Sequence, residues 1–211
     1  MFRERSSAYE AGHRKFTSKV NDNLELLKES PFIKRTYDLE DGYAYIFEGG
    51  RIQIGKVEAT EFSNLELVEH TLIIRHIWAG NSSRGRGLGR EAMQLVRDTF
   101  IDTNVALFLY AIPIEIPVYD AHGCTVIDDV SKQRRLVSFY EELGWVVQNP
   151  VNLYVPVMLM FMVGRYEKYS LIPAPMVLAG NKLPKVLKEQ IHRDTITGDQ
   201  WFKDCGLADQ M

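Results

Sequence analysis

The sequence has few cysteines and lacks any apolar run long enough for a membrane anchor. Its two cysteines, Cys124 and Cys205, do not have the paired spacing of a disulfide framework and suit a reducing compartment. The longest apolar run worth testing, residues 157–163, is shorter than the ~20 residues that a bilayer-spanning helix needs. The polar amino terminus has no apolar signal region. These absences predict a cytoplasmic protein with no membrane partner.

An excess of charge of one sign is also absent. The 211 residues include 25 basic and 28 acidic side chains, for a net charge of −3. Proteins that bind a duplex by neutralising its phosphates are usually basic, so a nucleic-acid partner is not expected. A hydrophobic fraction of 45% and a charged fraction of 25% indicate a globular core. A local cluster of arginines is therefore expected to bind a small anion.

The spacing of apolar residues predicts a mixed α and β fold. Helical spacing occurs at 7–30, 88–101, 131–143 and 184–194. Strand-like runs occur at 43–57, with a hairpin at Gly49-Gly50, and at 65–80, 104–112, 145–148 and 156–163. The segment 113–130 has no clear period and is predicted to be a long loop. This order predicts antiparallel pairing first and a strand–helix–strand crossover in the middle.

A glycine-rich turn, "RGRGLGR" from Arg84 to Arg90, lies between a predicted strand and a predicted helix. Free N–H groups at a helix start, the positive end of its dipole and glycines that admit an anion predict a phosphate cradle. Gly89 is followed by Arg90-Glu91, which excludes a P-loop because that motif needs Lys and then Ser or Thr. The same residues fail to complete the Gly-x-Gly-x-x-Gly dinucleotide pattern.

Two motifs resemble the GNAT superfamily of acyl-CoA N-acyltransferases. Arg84-x-x-Gly87-x-Gly89 is similar to the family's glycine-turn motif, and "LVSFYEELGW" at 136–145 is similar to its later helix–turn–strand motif. The resemblance covers about residues 40–163. It implies a GNAT-like mixed sheet, mostly antiparallel, with a central crossover and flanking helices. We expect this domain at 1–163 and a C-terminal extension at 164–211, packed on the domain or on a partner subunit.

The resemblance also implies how acyl-CoA is bound, in a V-shaped opening between two splayed parallel strands. These would be the strands that end near Ile77 and at 105–111. The pantetheine arm would bond to the backbone of Ile77, Trp78 and Ala79, and Gln133 would supply an amide near the cofactor. The pyrophosphate would lie on the amides of Arg84, Gly85, Arg86, Gly87, Leu88, Gly89 and Arg90. These are backbone roles, so Arg86 is expected to tolerate substitution better than Gly87 or Gly89.

The catalytic residues come from the same resemblance. Tyr140 matches the tyrosine that protonates the departing CoA thiolate, a role that suits a phenol. The alternative is that Tyr140 is a packed aromatic. The family's general base is often a glutamate on the strand before the glycine turn, where this sequence has Glu66, Glu69, His70 and His76. Counting back from the turn favours Glu69 or His70, and we choose Glu69.

The segment 113–130 corresponds to a loop that often borders the acceptor in this family. Glu115, Tyr119, Asp120 and His122 are therefore candidate acceptor-binding residues, and acidic groups there would suit an amine. A solvated loop is the alternative. His122 and Cys124 have no second pair at zinc spacing, so a metal site is not expected. A Cys–His nucleophile pair would lack its usual sequence context.

Together these features predict an acyl-CoA-dependent N-acyltransferase that moves an acetyl group from acetyl-CoA to a primary amine by direct attack. The alternative is a catalytically inactive CoA-binding scaffold or regulatory module. The acceptor stays open among a polyamine or antibiotic, a protein amine and an amino-bearing nucleobase. The methionine-rich run 157–163 is interpreted as core, with a homodimer contact as the alternative.

Overall fold

The computed structural model describes residues 22–56, 70–80, 85–113, 118–120, 123–125, 130–149 and 174–207, with backbone alone for 118–120 and 123–125. The described helices are α1 (22–29), α2 (Leu88–Phe100), α3 (Val130–Glu142), α4 (Lys185–Asp194) and α5 (Gly198–Asp204). The described strands are β1 (Arg35–Asp38), β2 (Gly42–Phe47), β3 (Gly50–Lys56), β4 (Thr71–Ala79), β5 (Ala106–Ala111), β6 (Val118–Asp120), β7 (Gly123–Thr125), β8 (Val146–Gln148), β9 (Ala174–Ala179) and β10 (Thr195–Ile196).

Eight of these strands form one sheet in the order β1-β2-β3-β4-β5-β9-β8-β10. Every neighbouring pair in this sheet is antiparallel except β4 and β5, which are parallel and joined through α2. The fold class is therefore confirmed: a mostly antiparallel mixed sheet with a central strand–helix–strand crossover. Within the described part of the chain, no helix has the length and apolar character to span a membrane.

The two faces of the sheet carry separate core clusters because successive strand residues point to opposite sides. The front face, which includes Ile52, Ile74 and Leu107, packs against residues of α1, α2, α3 and α5 in the larger cluster. The back face, which includes Ile73 and Phe108, packs against α4 in the smaller cluster. The front face therefore holds most of the apolar core, and α4 covers part of the back face.

The positions of most predicted elements are confirmed. The first helix ends at residue 29, before Pro31, and the hairpin at Gly49-Gly50 joins β2 to β3. Helices α2, α3 and α4 lie within one residue of their predicted limits. Strand β4 continues to Ala79, two residues beyond its predicted end. The predicted helix before residue 22 and the predicted strand at 156–163 lie outside the described residues.

The segment 113–130 differs from its prediction as a loop without strands. Its described parts contain β6 and β7, which pair with each other through Tyr119 opposite Cys124 in a separate two-stranded sheet. Each strand has only three residues, which is shorter than the run of four to eight residues that makes a strand recognisable in a sequence.

The carboxyl-terminal segment supplies an interior part of the sheet. Strand β9 lies between β5 and β8, where it is antiparallel to both. Trp201, Phe202 and Leu207, which follow β9, are buried in the front cluster of the same chain. The described residues beyond 173 therefore complete the domain core. The expected domain boundary at residue 163 lies outside the described part of the chain.

We predict that Met176→Ala in β9 lowers the free energy of unfolding by about 2–5 kcal/mol, because Met176 is fully buried in the front core. Urea denaturation would measure the loss. Val186→Ala is the matched control, since Val186 is 66% exposed and a surface change of this kind costs about 0.5 kcal/mol or less. Equal effects of the two substitutions would contradict the interior position of β9.

Candidate functional site

An opening in the sheet separates the carboxyl halves of β4 and β5. Their parallel pairing runs from Thr71 opposite Ala106 to Ile74 opposite Leu109 and ends there. Strand β4 continues to Ala79 beside β3, while β5 continues to Ala111 beside β9. Strand β4 stays paired with β3 and β5 stays paired with β9, but β4 and β5 are no longer paired with each other. We call this opening the gap; it is bounded by residues 75–79 of β4 and 110–111 of β5.

A β-bulge at Arg75 accompanies the start of the gap. Gln53 and Ile54 are adjacent on β3, but they pair with His76 and Ile74, so Arg75 is an extra residue on β4. Bulges bend a strand and increase its twist, which accounts for the divergence of β4 from β5 at this point. The Arg75 side chain donates from Nε to Asp41 Oδ2 at 2.7 Å and from Nη2 to the Lys56 carbonyl at 3.0 Å.

The glycine turn lies beyond the carboxyl end of β4 and leads into α2. Gly85 and Gly87 have φ angles of 77° and 78°, in the left-handed region that favours glycine. Gly87 is the N-cap of α2, and its carbonyl accepts the first intrahelical bond from the Glu91 amide at 3.0 Å. The turn therefore needs glycine at two positions because of its backbone conformation.

The first turn of α2 presents free amide groups. The N–H groups of Leu88, Gly89 and Arg90 precede the first intrahelical bond, and a glycine N-cap has no side chain to accept from them. Apart from its chain neighbours and the backbone of α2, no described residue has an atom within 4 Å of a Cβ built on Gly89. Among the described residues, open space therefore lies beside donors that carry the positive end of the helix dipole, which is the arrangement that binds an anionic group.

Two arginines of the turn are engaged in ion pairs at the surface. Arg86 donates to Glu48 at 2.9 Å, and Glu48 belongs to the β2–β3 turn. Arg90 donates to Glu142 at 2.7 Å, and its guanidinium lies 5.1 Å from the centre of the Phe139 ring. These contacts join the turn to β2–β3 and to α3. The guanidinium groups of Arg86 and Arg90 are therefore occupied by carboxylates of this chain, and the binding role of the backbone amides stays a prediction.

Tyr140 lies on α3 and faces the front core. Its side chain is 6% exposed, with ring centres 5.1 Å from Phe139 and 6.1 Å from Trp145. Burial raises the pKa of the Tyr140 phenol well above its ordinary value, so the hydroxyl stays protonated. No hydrogen-bond partner of this hydroxyl occurs among the described residues. Tyr140, and not its neighbour Phe139, is thus the more buried aromatic of the pair.

Gln133 joins the start of α3 to the edge of the gap. Its side chain is fully buried, and Nε2 donates to the carbonyl of Ala111 at 3.1 Å. Ala111 is the last residue of β5, so this bond fixes the end of that strand. Gln133 therefore has a structural contact at the site, and its predicted contact with a cofactor stays a prediction.

The candidate bases on β4 lie at very different distances from the gap. His70 precedes β4, with Nδ1 3.2 Å from the Asn104 carbonyl, and lies roughly 30 Å along the strand from its other end at Ala79. His76 follows the bulge and is half-buried at the gap. Burial lowers the pKa of its imidazole below the ordinary 6.5, and the charge of Arg51 lowers it further. Glu69, the residue chosen from the sequence, lies outside the described residues.

The structure brings some predicted site residues together and leaves others undescribed. Ile77, Trp78 and Ala79 line the gap, and the glycine turn follows them. Arg84, Glu115 and His122 lie outside the described residues, while Tyr119 and Asp120 are placed only as backbone in β6. Sequence reasoning did not identify Arg51 and Gln53, which pair with Trp78 and His76 across β3 and β4. No local sequence pattern identifies these two residues, because their partners on β4 are set by the bulge at Arg75, which shifts the β3–β4 register.

Comparisons with known proteins give a distant structural likeness. No family model matches the chain, and no curated protein matches its sequence. One solved structure that resembles it comes from Bacteroides thetaiotaomicron and is provisionally described as an acetyltransferase of the GNAT family. The two share 13% identity over 88% of this chain and 91% of that chain, with a TM-score of 0.38. The interpretation of the site therefore depends on the contacts within this chain.

We predict opposite effects of alanine at two glycines of the turn. Gly87→Ala should lower the free energy of unfolding by about 1–2 kcal/mol, because φ is positive at this residue. Gly89→Ala should leave it unchanged or raise it by up to about 1 kcal/mol, because Gly89 is helical and its surroundings are open. Chemical denaturation of both variants would measure this, and a loss at Gly89 equal to that at Gly87 would contradict it.

Proposed function

We propose that the protein is an acyl-CoA-dependent N-acyltransferase that transfers an acetyl group from acetyl-CoA to a primary amine. The observation that carries this proposal is the gap between β4 and β5 beside the open amino terminus of α2. A long anionic cosubstrate needs donors for its phosphates and an adjacent slot for its arm. Here the strand that borders the slot ends at Ala79, and the helix that carries the donors begins at Leu88.

The residues at the site fit the chemistry of acyl-CoA. The amides of Leu88, Gly89 and Arg90 would hold the pyrophosphate, and the open space at Gly89 would let it approach the backbone. Residues 77–79 of β4 are not paired by β5, so backbone groups on that side are available to amides of the pantetheine arm. When bound, the cosubstrate would supply a thioester carbonyl as the electrophile.

The two faces of the sheet suggest how the substrates would approach each other. Helix α2 and Tyr140 belong to the front core, so the cosubstrate would enter the gap from the front. Ile77 packs against that core, and its neighbour His76 therefore points to the back face. The acceptor amine would then approach from the back. This division allows direct attack in a complex that contains both substrates.

Two residues have the properties that proton transfer requires. A lowered pKa keeps His76 neutral at neutral pH, which suits a group that removes a proton from the attacking amine. Tyr140 stays protonated and would donate to the departing thiolate. The burial that raises the pKa of the Tyr140 phenol would also raise that of a thiol held beside it. The transfer is therefore less unfavourable than the isolated value of either group implies.

The second candidate function, a CoA-binding module without transferase activity, is favoured by one observation. Tyr140 is packed within the front core, as an aromatic with only a structural role would be. Titration with CoA together with release of free thiol over a panel of amines separates the two functions. CoA binding without thiol release from acetyl-CoA for any amine would reject the enzyme and leave the module.

We predict that His76→Gln lowers the kcat for thiol release by about 100-fold at pH 7.5, as expected for the loss of a general base. In the unchanged protein, kcat should fall with decreasing pH only below 6.5, because the pKa of His76 is lowered. Protonation of His76 in that range removes the base. Measuring kcat from pH 5 to 8 tests both points.

His192→Gln is the control for this change, because His192 is exposed on α4. It should preserve the rate and its pH profile. A His76→Gln variant with an unchanged kcat and an unchanged acidic limb would contradict the role of His76.

We predict that Tyr140→Phe lowers kcat by about 100-fold, as expected for the loss of a general acid, while unfolding changes little. Tyr45→Phe provides the opposite control, because Tyr45 is equally buried but its hydroxyl donates to the Leu24 carbonyl at 3.0 Å. Loss of this hydrogen bond should lower the free energy of unfolding by about 0.5–1.5 kcal/mol and leave kcat unchanged. Thiol release and urea denaturation of both variants test this, and a Tyr140→Phe variant with full kcat would reject Tyr140 as the acid.

A further inference from the structure

The back face beside the gap carries a defined set of side chains. On β3 and β4, Arg51 lies opposite Trp78, and Gln53 lies opposite His76. Ile52, which alternates with these β3 residues, is buried in the front cluster, so Arg51 and Gln53 point to the back. These four side chains therefore share one surface with the proposed general base.

Within the described part of the chain, Arg51 is a cation without an ion-pair partner on this surface. It is exposed, and none of the ion pairs among the described residues includes it. The other described arginines around the gap are paired: Arg75 with Asp41, Arg86 with Glu48, and Arg90 with Glu142. The positive charge of Arg51 interacts with the His76 imidazole, since it contributes to the lowered pKa of His76. An anion at this position would thus meet an uncompensated positive charge.

Trp78 provides the second element of the surface. Its side chain is 47% exposed although tryptophan is one of the most apolar residues. Trp78 is the direct cross-strand neighbour of Arg51, so an apolar side chain and a charged side chain are adjacent on this surface. This pairing suits a ligand with a hydrocarbon or planar body and an anionic end.

We propose that the acceptor is a primary amine that also carries an anionic group, a carboxylate or a phosphate. Arg51 binds that group, and Trp78 contacts the body of the molecule while its amine faces His76. This inference rests on the proposed acyltransferase function. It excludes polyamines and other polycations as preferred acceptors, because Arg51 would repel them.

The register also sets the separation of the two ends of the acceptor. His76 and Arg51 are diagonal neighbours on adjacent strands, whose backbones are roughly 7–8 Å apart at such positions. An amine at His76 and an anion at Arg51 are therefore separated by several bonds. We expect acceptors with a chain of four to six carbons, on the order of that distance, to be better than short α-amino acids.

The first experiment compares amines that differ only in their distal group. Thiol release from acetyl-CoA is measured with 6-aminohexanoate, 6-aminohexyl phosphate, hexylamine and 1,6-diaminohexane. The two anionic acceptors should show kcat/KM at least about tenfold above hexylamine, with the diamine lowest, because one charge-assisted contact contributes about 1.5–3 kcal/mol. Comparing kcat/KM for 6-aminohexanoate and 6-aminohexyl phosphate shows whether the site prefers a carboxylate or a phosphate. Equal kcat/KM for all four acceptors would overturn the proposal.

The second experiment assigns the preference to Arg51. Arg51→Gln should raise KM for the anionic acceptors about tenfold and bring their kcat/KM to within about twofold of that of hexylamine in the same variant, whereas Arg51→Lys should keep most of the preference for anions. Arg35→Gln is the matched control. Arg35 is exposed on the same face, two strands away through Ile46, at about 10 Å. Equal effects of Arg35→Gln and Arg51→Gln would overturn the assignment.

The outcomes separate this inference from the function on which it rests. If no amine of any charge gives thiol release, the acyltransferase function fails and the inference fails with it. If amines are acetylated without regard to their distal charge, or if Arg51→Gln keeps the preference for anions, the function stands and this inference alone is rejected.

Discussion

The end of pairing between β4 and β5 after Ile74 is the constraint on which the candidate site depends. A continuous parallel pair would satisfy its own backbone groups and close the sheet at this point. The extra residue at Arg75 prevents this by turning β4 away from β5 while β3 still pairs with it. The ion pair of Arg75 with Asp41 holds the bulge against the β1–β2 turn. A local irregularity thereby produces the gap between β4 and β5.

The two faces of the sheet beside the gap differ in electrostatic character. On the front, Arg86 and Arg90 are paired with glutamates, and within the described part of the chain the uncompensated positive charge belongs to the helix amides. On the back, the uncompensated charge belongs to the Arg51 side chain beside His76. Backbone donors are fixed in place, whereas an arginine side chain can adapt to its ligand. Under the proposed function, the fixed donors in front would hold the cosubstrate, and Arg51 behind would select the acceptor.

The carboxyl-terminal segment stabilises β5 and α3, two elements of the candidate site. Strand β9 pairs with β5 up to Ala111, so the strand that borders the gap keeps one fixed edge. Helix α5 packs against α3, where Arg134 contacts both Asp199, at 3.2 Å, and the ring of Phe202. Helix α3 in turn carries Gln133 and Tyr140. Helix α3, which carries two residues of the candidate site, is therefore held by residues of α5 that are more than fifty positions later in the sequence.

The sequence by itself determined the elements whose causes are local. The glycine turn, the α2 helix after it, the hairpin at Gly49-Gly50 and the position of Tyr140 on α3 follow from residue type and spacing over a few positions. Tertiary structure decided the interior place of β9, the bulge at Arg75 and the pairing of Arg51 with Trp78. These depend on which distant strands pair and in which register, and a one-residue shift reverses the face of every side chain. No local pattern encodes that choice, because it is made by packing the whole core.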